Sequence, residues 1–253
     1  MTAPNWPRPQ WRDSGAQALF LWFVFGDFAA DFRIDAARYR TRGTPAGVDV
    51  TGYSHASIRA WDGYPLGGSM GKLFEGENAA LFTRARAARD CLVLRGEIAD
   101  PADLDDLRDL IGTITALLDV GGAAVVDPQM LSLFDPAEWR ARFFESDEFV
   151  TRNHVAILAS DDEAAFGRQW IHTRGMRKFA RPDIGIRNVP PEYAGHAGQL
   201  AQQFADFQAL GGIVDEGREI VIDGLPANMH AHHAGSLDDP DFNNVHLAIR
   251  WPD

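Results

Sequence analysis

The chain has 253 residues, of which 45% are hydrophobic and 24% are charged, a composition typical of a folded globular protein. Its formal net charge of −12 disfavours a nucleic-acid-binding function, because such proteins need a basic surface that displaces counterions from phosphate. A single cysteine, Cys91, excludes an intrachain disulfide. We therefore expect a cytoplasmic protein with no nucleic-acid partner.

The N-terminal region predicts an irregular arm followed by a strand. Residues 1–15 are rich in proline and polar residues, whereas residues 18–25 (ALFLWFVF) form an apolar run. This run is too short to span a bilayer, and its aromatic content favours a buried strand, so we expect no membrane association. We interpret residues 16–253 as a single α+β domain, or as two lobes that meet near residue 150.

The clearest predicted unit is a βαβ-like crossover at about 91–126. An apolar strand at 91–95 precedes Asp100 and Pro101, which suit the N-cap and the first turn of a helix. Leucines and isoleucines then recur at helical spacing to about residue 119, and a second apolar strand follows Gly121 and Gly122. A crossover of this length predicts two parallel strands that are neighbours in one sheet.

The remaining elements predict a mixed β-sheet with helices packed on it. Residues 76–90 have helical composition, and Asp135 and Pro136 open a further short helix. Further predicted elements are strands at 154–159 and 169–173, a long helix from Pro190 to about Leu210, and strands near 219–222 and 245–250. The mixture of helices, hairpin-like strand pairs and one crossover predicts an α+β fold.

A cluster of positive charge predicts an anion-binding or partner-binding site. Residues 168–187 contain six arginines and lysines but one acid, and the centre of the cluster follows a predicted strand. Arginines at the end of a strand, close to exposed backbone amides, suit a phosphate or a carboxylate. The candidate residues are His172, Arg174, Arg177, Lys178 and Arg181. Alternatively, these charges pair with the acidic residues of 97–109.

A histidine cluster near 230–246 predicts a second kind of site. In an extended segment, His230 and His232 point to the same side, and His246 or Asp241 could supply a third ligand to a zinc-type metal. Such a metal lowers the pKa of bound water and supports hydrolysis. An exposed loop explains these histidines equally well.

Two segments carry a resemblance to a family. HTRGMRKFARPD (172–183) and DPDFNNVHLAIRWP (239–252) resemble uncharacterised bacterial proteins of a domain-of-unknown-function type, whose signature is T-x-G-hydrophobic-x-x-F-x-x-x-acidic. The matching residues are Thr173, Gly175, Met176 and Phe179. The resemblance implies an accessory protein, of the kind found near secretion or toxin–immunity systems, and it implies no catalytic residue.

These observations favour a non-catalytic binding or accessory protein that recognises an anionic ligand or a protein partner and needs no cofactor. The alternative is a metal-dependent hydrolase that uses the histidine cluster. Phosphate-loop, dinucleotide-binding, nucleophile-elbow and zinc-protease motifs are all missing from the sequence, so no standard enzyme class is indicated.

Overall fold

The computed structural model describes residues 4–29 and 34–252, which form two compact units. The described parts of 1–7, 19–98 and 103–149 belong to the first unit. The second unit contains residues 8–18, 99–102 and the described part of 150–253. The predicted arm at 1–15 is thus divided between the units, and the longest segment of the second unit begins at Val150.

The first unit is built on a five-stranded sheet. Its strands are β1 (Gln17–Gly26), β2 (Val48–Ser54), β3 (Asp90–Ala99), β4 (Gly122–Asp127) and β5 (Ser132–Phe134), in the order β2-β3-β1-β4-β5. Its helices are α1 (His55–Ile58), α2 (Gly68–Glu77), α3 (Ala79–Ala87), α4 (Asp105–Asp119) and α5 (Pro136–Trp139). A π-helical turn at Arg140–Phe144 follows α5.

The β3–α4–β4 segment has the predicted order of strand, helix and strand, but the two strands are not direct neighbours. β1 lies between β3 and β4. Every residue of β1 from Ala18 to Gly26 is buried or partly buried, so this strand needs partners on both edges and cover on both faces. A central position in the sheet provides them.

The predicted N-cap of the long helix is also wrong. α4 begins at Asp105, with Leu104 at the cap position, and Asp100 lies before it. Asp105 and Asp106 occupy the first turn, where their negative charge favours the helix dipole. The apolar spacing seen in the sequence is real, because Leu107, Leu110 and the other apolar residues of α4 are buried.

The second unit contains a six-stranded sheet. Its strands are β6 (Ala156–Asp161), β7 (Gln169–Arg174), β8 (Asp183–Val189), β9 (Arg218–Ile220), β10 (Met229–Ala234) and β11 (His246–Arg250), in the order β6-β7-β8-β11-β10-β9. The β8–β11 pair is parallel, and every other neighbouring pair is antiparallel. Short 3₁₀ turns occur at Thr151–Asn153, Met176–Phe179 and Pro191–Tyr193.

One helix of the second unit, α6 (Ala194–Ala209), contacts β7 and β8. The alternating residues Ile171, Ile184 and Ile186 of these strands are buried, as are Leu200 and the alanines on one side of α6. Trp170, Gly185 and Arg187 occupy the intervening positions and therefore lie on the opposite face of the sheet. That second face carries the candidate site.

The fold is α+β, as predicted, with two sheets in place of one. Among residues 4–29 and 34–252, no helix has the length and apolar character needed to cross a membrane.

Two helical glycines allow a direct test of packing in the two units. A Cβ on Gly112 of α4 would lie 2.2 Å from the carbonyl oxygen of Tyr39, whereas a Cβ on Gly198 of α6 would meet nothing within 4 Å. We expect Gly112→Ala to lower the free energy of unfolding by about 1–3 kcal/mol through overpacking. Gly198→Ala should raise it by about 0.5–1 kcal/mol through helix propensity. Urea unfolding of both variants measures these effects, and equal stabilisation by the two alanines would contradict the close approach at Gly112.

Candidate anion-binding site

Three of the five predicted anion-binding residues are buried, and two of them, Lys178 and Arg181, are cations. Lys178 is fully buried, and its Nζ donates to the carbonyl oxygen of His154 at 3.1 Å. Arg181 is 2% exposed, and all of its guanidinium nitrogens donate to acceptors within the second unit. The expectation that these two cations face outward is therefore wrong, and neither is available to a ligand.

Arg181 belongs to a buried ion-pair cluster with Arg8 and Asp100. Arg181 Nη1 lies 2.5 Å from Asp100 Oδ2, and Arg8 Nη1 lies 2.7 Å from Asp100 Oδ1. Burial alone would raise the pKa of Asp100, but hydrogen bonds from Arg181, the Ser14 amide and Arg8 lower it below its ordinary value. The alternative interpretation, in which the positive cluster pairs with the acidic residues of 97–109, holds for Arg181.

The same two arginines also bind the C-terminal end of α6. Arg8 Nε donates to Ala209 O at 3.0 Å, and Arg181 donates through Nε to Gly212 O at 2.9 Å and through Nη2 to Gly211 O at 2.8 Å. Carbonyls at a helix C-terminus lack intrahelical donors and carry partial negative charge. The positive charge of the two buried arginines exceeds the negative charge of the single Asp100 carboxylate. The carbonyl oxygens at the C-terminal end of α6 supply further partial negative charge.

The residues that carry the family resemblance form the turn between β7 and β8. Thr173 Oγ1 donates to Asp183 Oδ1 at 2.9 Å and accepts from the Ile184 amide at 2.9 Å. Gly175 has a φ of +115°, which favours glycine, and Met176 is fully buried. Complete burial raises the pKa of Asp183 to about 6. The signature residues therefore have a structural role in this turn.

Arg174 and Arg177 are partly buried, whereas His172 is buried. Arg177 donates from Nη1 to Asn243 O at 3.1 Å. The Arg174 guanidinium lies over the Phe242 ring at 5.5 Å, and no carboxylate lies within 4 Å of it among the described residues. His172 is 5% exposed, and its ring stacks on Trp170 with centroids 3.9 Å apart. Burial, with a contribution from the charge of Arg174, lowers the pKa of His172 to about 4.

A pocket of about 320 Å³ lies on the open face of the sheet in the second unit, and we call it the sheet-face pocket. Gly185, Ala248 and His232 form one row across β8, β11 and β10, and the two small residues leave space at its floor. The lining residues are Trp170, Gly185, Arg187, Asn228, His230, His232, His246, Ala248, Ile249 and Arg250. This lining contains two arginines, three histidines and no acidic residue.

The two arginines of the sheet-face pocket are partners in the parallel register of β8 and β11, where Arg187 lies opposite Arg250. Like charges placed directly opposite each other on neighbouring strands are destabilising. Arg187 donates from Nη1 to the buried Asp162 at 3.0 Å, and its guanidinium lies 4.1 Å from the centre of the Trp170 ring. His172 stacks on Trp170 at 3.9 Å, so the indole contacts both the guanidinium and the imidazole.

The three histidines that were predicted to bind a metal all line this pocket. Their side chains do not come together as a set of metal ligands, either with one another or with Asp241. No group of three His, Cys, Asp or Glu side chains suited to a metal occurs in 4–29 and 34–252. The rings of His230 and His232 are 6.4 Å apart, and His232 Nδ1 is bonded to Glu216 at 2.7 Å. His246 stacks on Phe242 at 4.4 Å, and the carboxylate of Asp241 lies 3.8 Å from Arg187. These contacts show a histidine-lined pocket without the predicted ligand set.

Comparison of the chain with protein-family models, with curated proteins and with solved structures gives no significant match. The resemblance to uncharacterised bacterial proteins therefore stays a prediction.

Sequence reasoning missed Trp170, Gly185, Ala248 and Arg250 as parts of the site. Trp170 alternates with His172 and Arg174 along β7, which was a usable signal. Arg250 and Ala248 could be placed beside Arg187 and Gly185 only from the parallel pairing of β8 with β11. These strands are separated by more than fifty residues, and nothing in either segment specifies its partner.

The buried ion-pair cluster predicts a large effect of one acidic residue on stability. Asp100→Ala leaves Arg8 and Arg181 buried without their carboxylate, so we expect the free energy of unfolding to fall by about 3–5 kcal/mol. The exposed Asp238 serves as the matched control, and Asp238→Ala should change it by less than about 0.5 kcal/mol. Urea unfolding at pH 7 measures both, and similar values for the two variants would contradict the role of Asp100.

The lowered pKa of His172 predicts a pH-dependent contribution to stability. Below its ordinary pKa of 6.5 the unfolded chain binds a proton at this residue, whereas the folded chain does so only near pH 4. The contribution of the neutral buried ring to the free energy of unfolding is thus fully present above pH 6.5, and it is lost as the pH falls to about 4. We expect the stability difference between wild type and His172→Gln to decrease by up to about 3 kcal/mol between pH 7 and pH 4.

Urea unfolding at pH 7.0, 5.5 and 4.0 measures this difference. Asp183, whose folded pKa is raised to about 6, acts with the opposite sign over pH 4–6, but it is present in both proteins and is removed by the subtraction. His196→Gln, at an exposed position, is the control. A wild-type-minus-variant difference that stays constant with pH would show that His172 titrates normally in the fold.

Proposed function

We propose that the protein is a non-catalytic binding protein that holds a small anionic molecule in the sheet-face pocket. The observation that carries this proposal is the side-by-side placement of Arg187 and Arg250 in a pocket whose described lining contains no acid. An oxyanion bound beside these strands accepts charge-assisted hydrogen bonds from guanidinium groups, in addition to the contact that Arg187 makes with Asp162.

The size and shape of the pocket favour a small molecule over a protein partner. Its volume of about 320 Å³ lies at the lower end of the range for small-molecule sites. Histidine and asparagine side chains supply further polar groups around the arginines, and the floor at Gly185 and Ala248 is free of large side chains. A carboxylate or phosphate compound of metabolite size suits this enclosure.

The acidic character of the whole protein is compatible with an anionic ligand. At physiological ionic strength the field of distant surface charges is screened over about 8 Å. The ligand therefore responds mainly to the local arginines and histidines. The net charge of −12 lowers the rate of encounter with anions in general and leaves selection to the groups inside the pocket.

Calorimetric titration and thermal shift with inorganic phosphate, pyrophosphate and citrate test this function. We expect at least one of these anions to bind and to raise the unfolding midpoint, because a ligand of the native state stabilises it. Ala248→Leu fills the floor of the pocket and should abolish binding. Arg250→Gln should weaken binding about tenfold, which corresponds to ~1.4 kcal/mol.

Arg84→Gln provides a control with the same change of net charge at an exposed position of α3, in the first unit. It should leave the affinity unchanged. Failure of all three anions to bind, or equal weakening by Arg84→Gln and Arg250→Gln, would rule out the sheet-face pocket as the site.

A further inference from the structure

Phe242 covers a group of nitrogen-bearing side chains beside the sheet-face pocket. It lies in the connection between β10 and β11 and is 7% exposed. Its ring centroid is 4.4 Å from that of His246, 5.6 Å from that of Trp170 and 6.0 Å from that of His172. The guanidinium carbon of Arg174 lies 5.5 Å from the same ring. One apolar side chain thus covers four groups that can donate hydrogen bonds.

Two of the covered groups have buried donors without an acceptor. Trp170 Nε1 and Arg174 Nε are buried and have no hydrogen-bond partner among the described residues. Leaving buried N–H groups unpaired costs stability, and an aromatic ring is a poor substitute for an oxygen acceptor. Burial also lowers the pKa of Arg174. The Phe242 ring therefore stabilises these N–H groups less than an oxyanion in the same place would.

The covered donors are continuous with the sheet-face pocket through Gly185. A Cβ at this position would lie 3.2 Å from Trp170 Nε1 and 3.3 Å from Phe242 Cζ. The absence of a side chain therefore lets the indole nitrogen and the Phe242 ring pack directly against the pocket floor. Both Gly185 and Trp170 line the pocket, so a ligand held there reaches this point if the ring withdraws.

The segment that carries Phe242 is a local turn that lies outside the strands of the sheet. Asp239 Oδ1 accepts from the amides of Asp241 and Phe242, which makes a local turn, whereas Asn244 is tied to Asp183 and to Arg181 O through its side chain. Residues 236–238, 240, 241 and 243 are exposed. Withdrawal of the ring therefore involves this turn, while Asn244 keeps β11 in place.

We propose that Phe242 covers an oxyanion subsite formed by Trp170 Nε1, the Arg174 guanidinium and His172, and that a carboxylate or phosphate of the ligand displaces the ring. This inference rests on the proposed function, since it places the charged group of the pocket's ligand. It also assigns a role to His172 and Arg174, which belong to the positive cluster in the sequence. The displaced ring acts as a competitor that every ligand must overcome.

Replacing Phe242 by alanine tests whether its ring competes with the ligand. We expect Phe242→Ala to bind inorganic phosphate or citrate about tenfold more tightly than the wild type, because the binding-competent state no longer has to be reached by moving the ring. Phe166→Ala removes a fully exposed phenylalanine of the same unit and should leave the affinity unchanged. Unchanged or weaker binding by Phe242→Ala would overturn the proposal.

Removal of a single positive charge tests whether Arg174 belongs to the subsite. Arg174→Gln introduced into Phe242→Ala should remove the gain in affinity. Arg177→Gln in the same background makes the same change of charge at a neighbouring side chain that donates to Asn243 O, and it should preserve most of the gain. If Arg174→Gln and Arg177→Gln lower the affinity for the anion equally, the effect is one of net charge, and the assignment of Arg174 to the subsite is contradicted.

An independent measurement uses the wild-type protein, so the test does not depend on the folding of Phe242→Ala. The indole ¹⁵N–¹H resonance of Trp170, assigned by its loss in Trp170→Phe, should shift on saturation with the binding anion. If the anion binds in a manner sensitive to Ala248→Leu while this resonance stays fixed, the subsite is wrong and the proposed function stands. If no anion binds, both are wrong.

Discussion

The buried contact of Arg8 and Arg181 with Asp100 is the constraint on which the second unit depends. It joins the N-terminal segment, the short segment at 99–102 and the turn after β7, which are far apart in the sequence. The same guanidinium groups bind carbonyls at the end of α6 and in the two glycines just after it. Removing charges from water is unfavourable, so these groups can be buried only when all the segments are in place together. The cluster thus makes assembly of this unit cooperative.

This constraint also explains why charge in the sequence was a poor guide to the site. Arg181 and Lys178 occur in a positive cluster typical of a ligand-binding loop, yet their side chains serve internal acceptors. Local sequence cannot distinguish an arginine that binds a ligand from one that binds a distant aspartate. The partner of Arg181 lies some eighty residues earlier, at a position that resembles a helix cap. Only the tertiary structure separates the two uses.

Elements defined by local patterns were predictable, and those defined by pairing were not. The apolar run of β1, the periodicity of α4 and the prolines before α6 gave the type of each element correctly. The insertion of β1 between β3 and β4, and the division into two sheets, depend on which strands meet. In the site, the histidines could be recognised from their spacing in the sequence. Arg250 could be assigned to the pocket only from its pairing with Arg187 in the structure.

The parallel pairing of β8 with β11 has a consequence for how the chain acquires its structure during synthesis. β11 lies between β8 and β10, so β9 and β10 have no link to the rest of their sheet until residues 246–250 have been made. A chain emerging from the ribosome can form the β6–β7–β8 meander early, since its contacts are local. The remaining strands must wait, because closing the long loop to β11 is entropically slow. The sheet-face pocket, whose floor spans β8, β11 and β10, is therefore among the last features of the protein to form.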